Sequence, residues 1–279
     1  MKIQKPDIAV LLTCHNRKEK TLRCLENLFL QKEAGTGFSM KVFLVDDGST
    51  DGTSDAVRQQ FPDVNIILGN GQLYWNKGMH LAWKSAAAAG DFDFYLWVND
   101  DVVMFTDALS VAINCAGDIA EPAVICGATQ SAITKEFTYG GLEKNGAKVI
   151  PDGQLKRCSV INGNFVLIPK AVFLKTGMND PIFPHSIGDH DYGLRAIRDG
   201  FSVYTLPSYI GYCERNEKPP KWCQREVPFS QRLRSLYSPL GNSHPYYYFI
   251  YEKRHFGILT AVKHFFTIHL RVLFPAIWS

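Results

Sequence analysis

The sequence predicts an α/β protein built on a Rossmann-like, mostly parallel sheet. Three observations lead there. Short apolar runs of strand length alternate with segments of helical period. The acids Asp46-Asp47 and Asp100-Asp101 stand where two of those runs end, and Asp189 and Asp191 open a later helix. Phe94-Tyr-Leu-Trp-Val98 shows no polar alternation, as expected of a strand covered on both faces by helices.

In order, Ile8 to Thr13 is the first strand, and Glu19 to Gln31 is a helix with Leu22, Leu25, Leu28 and Phe29 on one side. Lys41 to Val45 is a strand, Thr53 to Gln60 a helix, Val64 to Leu68 a strand and Asn76 to Ala89 a helix. Phe94 to Val98 then closes a half made of four β/α units. Asp107 to Ala116 is a helix and Val124 to Thr129 a strand. Ile133 to Ile150 reads as Gly-rich hairpins, and Val160 to Ile168 as a strand interrupted by Asn162-Gly163-Asn164. A helix starts at Lys170, a loop holds Pro181 and Pro184, and a further helix runs from Asp189 to Asp199 and stops at Gly200. Ser202 to Leu206 is a short strand, and Arg215 to Pro228, with its prolines and charges, is a mobile loop. The expected division is a catalytic domain over 1–228, with halves at about 1–105 and 106–228, followed by a basic, aromatic, helical extension over 229–279.

At 279 residues, 46% apolar and 20% charged, the chain has the composition of an ordinary globular protein with a sizeable core. Its charge is uneven. Residues 225–279 hold seven Lys/Arg against two Glu, a net +5, and the remainder holds 23 Lys/Arg against 25 Asp/Glu, a net −2. Seven cysteines, odd in number, scattered and without a C-x-x-C pair, suit a reducing compartment rather than a disulfide framework or zinc site. The run Ile8 to Leu12 is too short for a signal peptide, so the body is expected in the cytoplasm. From Phe256 to Trp278 the sequence is apolar but interrupted by Lys263, His264, His269 and Arg271, which argues against a spanning helix. Two readings stay open for this tail: contact with the inner face of a membrane, or packing on the body or in a homodimer. No nucleic-acid recognition motif accompanies its basic residues.

Carboxylates from distant segments gather on one rim of a parallel sheet, where a metal-bound, phosphate-bearing substrate would use them. Asp46-Asp-Gly-Ser-Thr-Asp51-Gly-Thr is not a calcium loop, because Arg58 stands at the twelfth position and a strand precedes it. It is either an Asx-turn with a cap at Ser54 or Asp51, or a place where Asp46 accepts hydrogen bonds from a base or ribose. In an extended segment Asn99 and Asp101 share a face opposite to Asp100, a D-x-D-like pair suited to Mg²⁺ or Mn²⁺ on a diphosphate. Gly69 to Gly78 lacks both the dinucleotide and the P-loop spacing and reads as a loop contacting the donor, with Asn76 capping a helix. Asp189 and Asp191 are separated by about 200° around a helix, so both cannot face one cleft. Asp191 can pair with Arg195 on the helix surface, leaving Asp189 for chemistry.

Leu12-Thr-Cys-His-Asn-Arg17, Val45-Asp-Asp-Gly-Ser-Thr-Asp51, Val98-Asn-Asp-Asp-Val102, Ile161-Asn-Gly-Asn-Phe165 and Gly188-Asp-His-Asp-Tyr-Gly-Leu-Arg195, taken in this order, resemble the motifs of inverting glycosyltransferases of family 2. The resemblance spans about residues 7–214 and implies the GT-A, or nucleotide-diphospho-sugar transferase, fold. Asp189 to Ala196 followed by Thr205-Leu-Pro207 is particularly similar to galactofuranosyl- and rhamnosyltransferase-like members. The implied activity is inverting transfer of a sugar from a UDP- or dTDP-linked donor to a saccharide or lipid-linked acceptor, in cell-surface polysaccharide synthesis. By the same resemblance Thr13, His15 and Asp46 lie around the base and ribose. Arg17, Asn76, Asn99 and Asp100 are assigned to the donor, and Asp101 to the divalent metal, Mn²⁺ or Mg²⁺. Asp189 is the catalytic base, and Asn164, His190 and Asp191 belong to the acceptor side. Two positions depart from the pattern: Asn99 stands first in the D-x-D, and Ile210-Gly-Tyr-Cys213 replaces a region where some relatives place a metal-touching histidine. A nucleotidyltransferase, or a nucleotide-binding module without catalysis, are the competing classes.

Overall fold

The computed structural model describes residues 5–33, 35, 37–215, 219–241 and 243–277. Residues 216–218 of the expected loop, and Trp278, lie outside the described residues. The chain begins with β1 (Asp7–Cys14), α1 (Lys18–Phe29), β2 (Ser39–Asp46), α2 (Thr53–Gln60), β3 (Asn65–Leu68), α3 (Tyr74–Ala89) and β4 (Phe94–Val98). It continues through β5 (Val103–Met104), α4 (Ala108–Asp118), β6 (Ala123–Gln130), β7 (Phe137–Tyr139), β8 (Lys156–Arg157), β9 (Phe165–Pro169), α5 (Lys170–Thr176), α6 (Gly188–Arg198) and β10 (Ser202–Tyr212). Three helices follow: α7 (Phe229–Leu236), α8 (Pro245–Phe256) and α9 (Ile258–Leu273).

These strands form one mixed sheet in the order β3-β2-β1-β4-β9-β6-β10-β5, with β7 on β6 and β8 on β10. β3, β2, β1 and β4 are parallel; β9 runs antiparallel between β4 and β6, and β10 is parallel to β6. The carboxyl ends of β1, β2, β4, β6 and β10 therefore share one rim. Because β2 and β4 lie on opposite sides of β1, the strand order reverses there, which opens a crevice at the rim.

The sheet is covered on both faces. Ile8, Val10 and Leu12 of β1 enter one core with Cys24, Leu25 and Leu28 of α1, while Ala9 and Leu11 enter the other with Met79, Ala82 and Trp83 of α3. This explains the unbroken apolar run of β1: successive side chains point to opposite faces, and both are buried. In the second core Trp83, Trp97 and Tyr192 pack with centroids 5.1–5.7 Å apart. Each such aromatic contact adds roughly 0.5–1.5 kcal/mol beyond area burial. Together they fix the roll of α6 against β4 and α3, and with it the direction of the acids on α6.

Two departures from the expected elements have local causes. β10 does not stop at Leu206: it passes Pro207 through an irregular register between Thr205 and Tyr209, a bulge that relieves proline of its missing donor. Its extra length carries Cys213 to the rim. The interrupted strand begins only at Phe165, because Asn162-Gly163-Asn164 forms a turn that enters the cleft instead.

Candidate active site

A cleft of about 1010 Å³ opens at the reversal point of the strand order, walled by the loops after β1, β2 and β4, the turn before β9, the start of α6 and part of the C-terminal helices. After β4 the chain turns at once, with Val102 N–H donating to Asn99 O at 3.2 Å. This overrides the alternation expected of an extended segment. Asp100 and Asp101 are both reached by one guanidinium: Arg17 Nη1 donates to Asp100 Oδ1 at 2.7 Å and Nη2 to Asp101 Oδ2 at 3.0 Å. Asp100 is buried, and burial pushes its carboxyl up to about 6 despite the opposing Arg17 charge. Asp101 is partly exposed to the cleft, with Lys20 Nζ at 3.9 Å and the Cys213 thiol at 3.7 Å. Burial, followed by the Asp101 charge, pushes the Cys213 thiol up to about 12, so it is a protonated donor there.

Asn99 is neutral and uses both ends of its amide. Its Oδ1 accepts from Trp75 Nε1 at 2.6 Å and its Nδ2 donates to Asn164 Oδ1. An aspartate at this position could accept from Trp75 but could not donate to Asn164. Thr13, His15, Arg17, Asn99, Asp100, Asp101, Asn164, Asp189 and His190, all singled out in the sequence, line this one cleft.

Asp46 and Asn76 do not. Asp46 is buried in its own turn, accepting from Ser49 N–H, three residues on, at 2.9 Å and from the Ser54 hydroxyl, while the Asx-turn of this motif is made by Asp51, whose Oδ1 accepts from Thr53 N–H at 3.1 Å. Its neighbour Asp47 faces the cleft. The Asp47 carboxylate accepts three backbone N–H groups, from Gly71 at 2.8 Å, Leu73 at 2.8 Å and Tyr74 at 2.9 Å, and its carbonyl accepts from His15 Nδ1 at 2.7 Å. Glycine is required at 69 because a Cβ there would lie 2.6 Å from Asp47 Oδ1. Asp47 thus holds the Gly69–Trp75 loop in place, with Tyr74 in a left-handed conformation at φ 56°. Asn76 does not cap α3, which begins at Tyr74, and does not line the cleft. It is fully buried, donating to Asp180 O and Phe183 O at 2.7 Å each and accepting from Asn179. An internal amide satisfied in this way pins the 179–183 loop to α3.

At the start of α6 the two acids separate, as the helical angle requires. Asp189 faces the cleft, its Oδ2 accepting from Gly163 N–H at 2.9 Å and its Oδ1 from His190 N–H at 2.9 Å. Only backbone amides bind it among the described residues, which orients the carboxylate without a neutralising cation. Ile187, just before the helix, is left-handed at φ 76°, and Gly188 packs so close to Asn76 that a Cβ would lie 2.0 Å from its Oδ1. Asp191 is not on the helix surface, and it does not line the cleft. It is fully buried, bound by Arg195 Nε at 2.9 Å, Arg254 Nη1 at 2.7 Å and His255 Nε2 at 2.9 Å. Arg254 also reaches Asp180 at 2.8 Å, so α8 is clamped to the body. The partner Arg195 is visible four residues on; Arg254 and His255 are distant in sequence.

Sequence reasoning did not assign Asp47, His185, Tyr248 or Tyr251 to the site and reached Trp75 only as part of the Gly69–Gly78 loop, yet all line the cleft. Asp47 stands beside Asp46 in the same motif, and local spacing does not tell which of two adjacent acids turns inward. His185 accepts from Trp75 N–H through Nδ1 at 3.4 Å, and burial lowers its pKa, which favours the neutral imidazole that this acceptor role requires. Tyr248 and Tyr251 come from α8 and were part of the aromatic signal in the tail.

Among the described residues no three His, Cys, Asp or Glu side chains converge as a metal cage. A Mg²⁺-type cation that shares its shell with substrate phosphates needs only one or two carboxylates. Asp101, partly open to the cleft, fits that requirement; Asp100 is buried against Arg17.

The family model described as glycosyl transferase family 2 matches residues 9–177, more than half of the chain. No curated protein matches the chain in sequence. Among solved structures, the mannosyltransferase PcManGT from Pyrobaculum calidifontis, in complex with GDP-Man and Mn²⁺, is similar over 94% of this chain and 74% of that one, with a TM-score of 0.58 at 14% identity. TarS 1-349 from S. aureus in complex with UDP is similar over 90% and 72%, with a TM-score of 0.57 at 15% identity. GalNAc-T7 with UDP, GalNAc and Mn²⁺ is similar over 84% and 48%, with a TM-score of 0.60 at 12% identity. The α/β GT-A fold, a mostly parallel mixed sheet with C-terminal helices, is common to them.

Proposed function

Since the chain belongs to glycosyl transferase family 2 and is a nucleotide-sugar glycosyltransferase, we propose that it transfers a sugar from a UDP- or dTDP-linked donor to a saccharide or lipid-linked acceptor hydroxyl with inversion, in cell-surface polysaccharide synthesis. The observation that carries this reading is the Asp189 carboxylate, oriented by two backbone amides and facing the same cleft as Asp101, Asn99 and His15. In this reading the donor occupies the half formed by residues 1–105, and the acceptor lies against 106–228 with the C-terminal helices completing the wall. The scattered free cysteines favour a cytoplasmic site of action, peripheral at the inner face of a membrane. The likeness of Asp189 to Ala196 and Thr205-Leu-Pro207 to galactofuranosyl- and rhamnosyltransferases favours a donor sugar of that kind.

The chemistry follows from the side chains. Asp189 takes the proton from the acceptor hydroxyl as its oxygen attacks the anomeric carbon; the bond from that carbon to the phosphate oxygen breaks, and the nucleoside diphosphate leaves on the opposite face. Arg17, between Asp100 and Asp101, places a positive charge beside the leaving group. Thr13 and His15, at the end of β1, contact the nucleotide, and Asn99 with Trp75 shapes the floor beneath the sugar. A divalent cation held by Asp101 would neutralise charge developing on the diphosphate.

Binding to a panel of nucleotide sugars, followed by thermal shift with and without Mn²⁺, tests the donor class, because a ligand of the native state raises apparent stability. Release of nucleoside diphosphate supports transfer, release of pyrophosphate would indicate nucleotidyl transfer, and binding without turnover a module that lacks catalysis. Asp101→Ala is expected to weaken nucleoside-diphosphate binding in Mn²⁺ far more than in EDTA. Equal weakening in both would show that this carboxylate acts without a metal.

A further inference from the structure

The outer faces of the three C-terminal helices are apolar where a globular protein is ordinarily polar. On α9, Leu259, Val262, Phe266, Leu270 and Leu273 fall within an arc of about 80° and are all exposed, Leu259 by 84% and Phe266 by 62%. On α7, Phe229 and Leu233 begin a second exposed stripe, and Tyr237 and Leu240 continue it just beyond the helix. On α8, Tyr246 and Phe256 are exposed on one side. Contacts join the three: Tyr237 hydroxyl meets His269 Nε2 at 2.8 Å, and Phe249 packs on Phe265 with centroids 6.2 Å apart. None of this surface is needed to hold the tail, because α8 is anchored from its other side by Asp180 and Asp191.

The exposed charges beyond residue 224 are predominantly positive. Arg225, Arg234, Lys253 and Lys263 are exposed, whereas of the two acids beyond residue 224 only Glu226 is exposed and Glu252 is buried. A second copy docking by two-fold symmetry would set these cations against themselves. An anionic lipid surface complements them and also accepts the apolar side chains below the headgroups. No helix is long and apolar enough to cross a membrane among the described residues. Leu240 belongs to both features: it is exposed at the end of the α7 stripe and lines the cleft.

We propose that the α7–α9 face docks on an anionic bilayer and that the sugar acceptor is lipid-linked, entering the cleft past Leu240. The acceptor class rests on the transferase reading above; the docking face does not. The test uses the full chain in flotation with vesicles of phosphatidylcholine alone and of phosphatidylcholine with phosphatidylglycerol. The wild type is expected to float with the anionic vesicles, less so as salt rises. Leu259→Glu with Phe266→Glu is expected to lose about tenfold or more in vesicle binding, and Lys253→Glu with Lys263→Glu the preference for phosphatidylglycerol. Unchanged nucleoside-diphosphate binding in both variants shows that the fold and the cleft are intact. Equal flotation on both vesicle types overturns the proposal, as does a dimer in sedimentation that Leu259→Glu with Phe266→Glu dissolves. For the acceptor, transfer to long-chain alkyl glycosides in anionic vesicles is compared with transfer to their methyl counterparts in solution. Preference for the former is expected, and equal use of both removes the lipid-linked class. Donor binding with transfer to neither, while flotation persists, counts against the transferase reading and leaves the docking face standing.

Discussion

Asp189→Asn is expected to lower sugar transfer by about 10² to 10⁴, the range usual for loss of a general base, with donor affinity nearly unchanged. Asparagine keeps the shape of the side chain, and its Oδ1 can still accept from the Gly163 or His190 amide, so the turn and helix start should survive. It cannot take a proton. The loss should therefore appear in the rate of transfer and not in the melting temperature or in nucleoside-diphosphate binding. Turnover close to that of the wild type would remove Asp189 from the role of base, since no alternative chemistry in this cleft would leave the amide equally effective.

The second large effect is expected at Asp191, two residues away and on the opposite side of the helix. Asp191→Asn leaves the cations of Arg254 and Arg195 facing a neutral amide at a fully buried position, and breaking a buried ion pair from one side costs about 3–5 kcal/mol. Chemical denaturation should report that loss, and protection of the α8 amides from hydrogen exchange should fall with it. Per folded molecule, transfer should change far less than in Asp189→Asn. Burial alone would raise the Asp191 pKa, but the hydrogen bond from His255 and the charges of Arg195 and Arg254 outweigh it and lower the value. A group whose folded pKa is depressed contributes stability that is present above the ordinary carboxylate value, about 3.9, and is lost as pH falls through the folded value. The acid limb of the stability curve should thus be shallower in Asp191→Asn than in the wild type. An inactive Asp191 variant of normal stability beside an active Asp189 variant would reverse both assignments.

The same pair of acids shows how much was legible beforehand. Their two-residue spacing at a helix start is enough to say that one faces away from any cleft the other faces, because helical geometry is local. That Asp191 is buried under Arg254 and His255 depends on residues more than sixty positions later, and no periodicity carries that information. Asn99 to Asp101 failed differently. An extended reading predicted alternating faces, but the backbone turns immediately after Val98, and Arg17 collects both acids. Asn76 was misread because a short polar residue near a helix start is a good cap in isolation, whereas here α3 begins two residues earlier and the amide is spent on the 179–183 loop.

By itself the sequence determined what short-range physics sets. That includes the alternation of strands and helices, the double-sided burial of β1 and β4, the collection of acids on one rim, the divergence of Asp189 from Asp191, and a basic, apolar tail whose described residues form no helix long and apolar enough to cross a membrane. Tertiary structure alone decided which of those side chains meet. It turned Asp47 rather than Asp46 toward the cleft, brought Tyr248 and Tyr251 of the tail into its wall, and divided the tail into a face clamped on the body and a face left open. The physical reason is range: backbone geometry and hydrophobic period act over a few residues, while a buried carboxylate is satisfied by whatever donors the packed chain delivers to it.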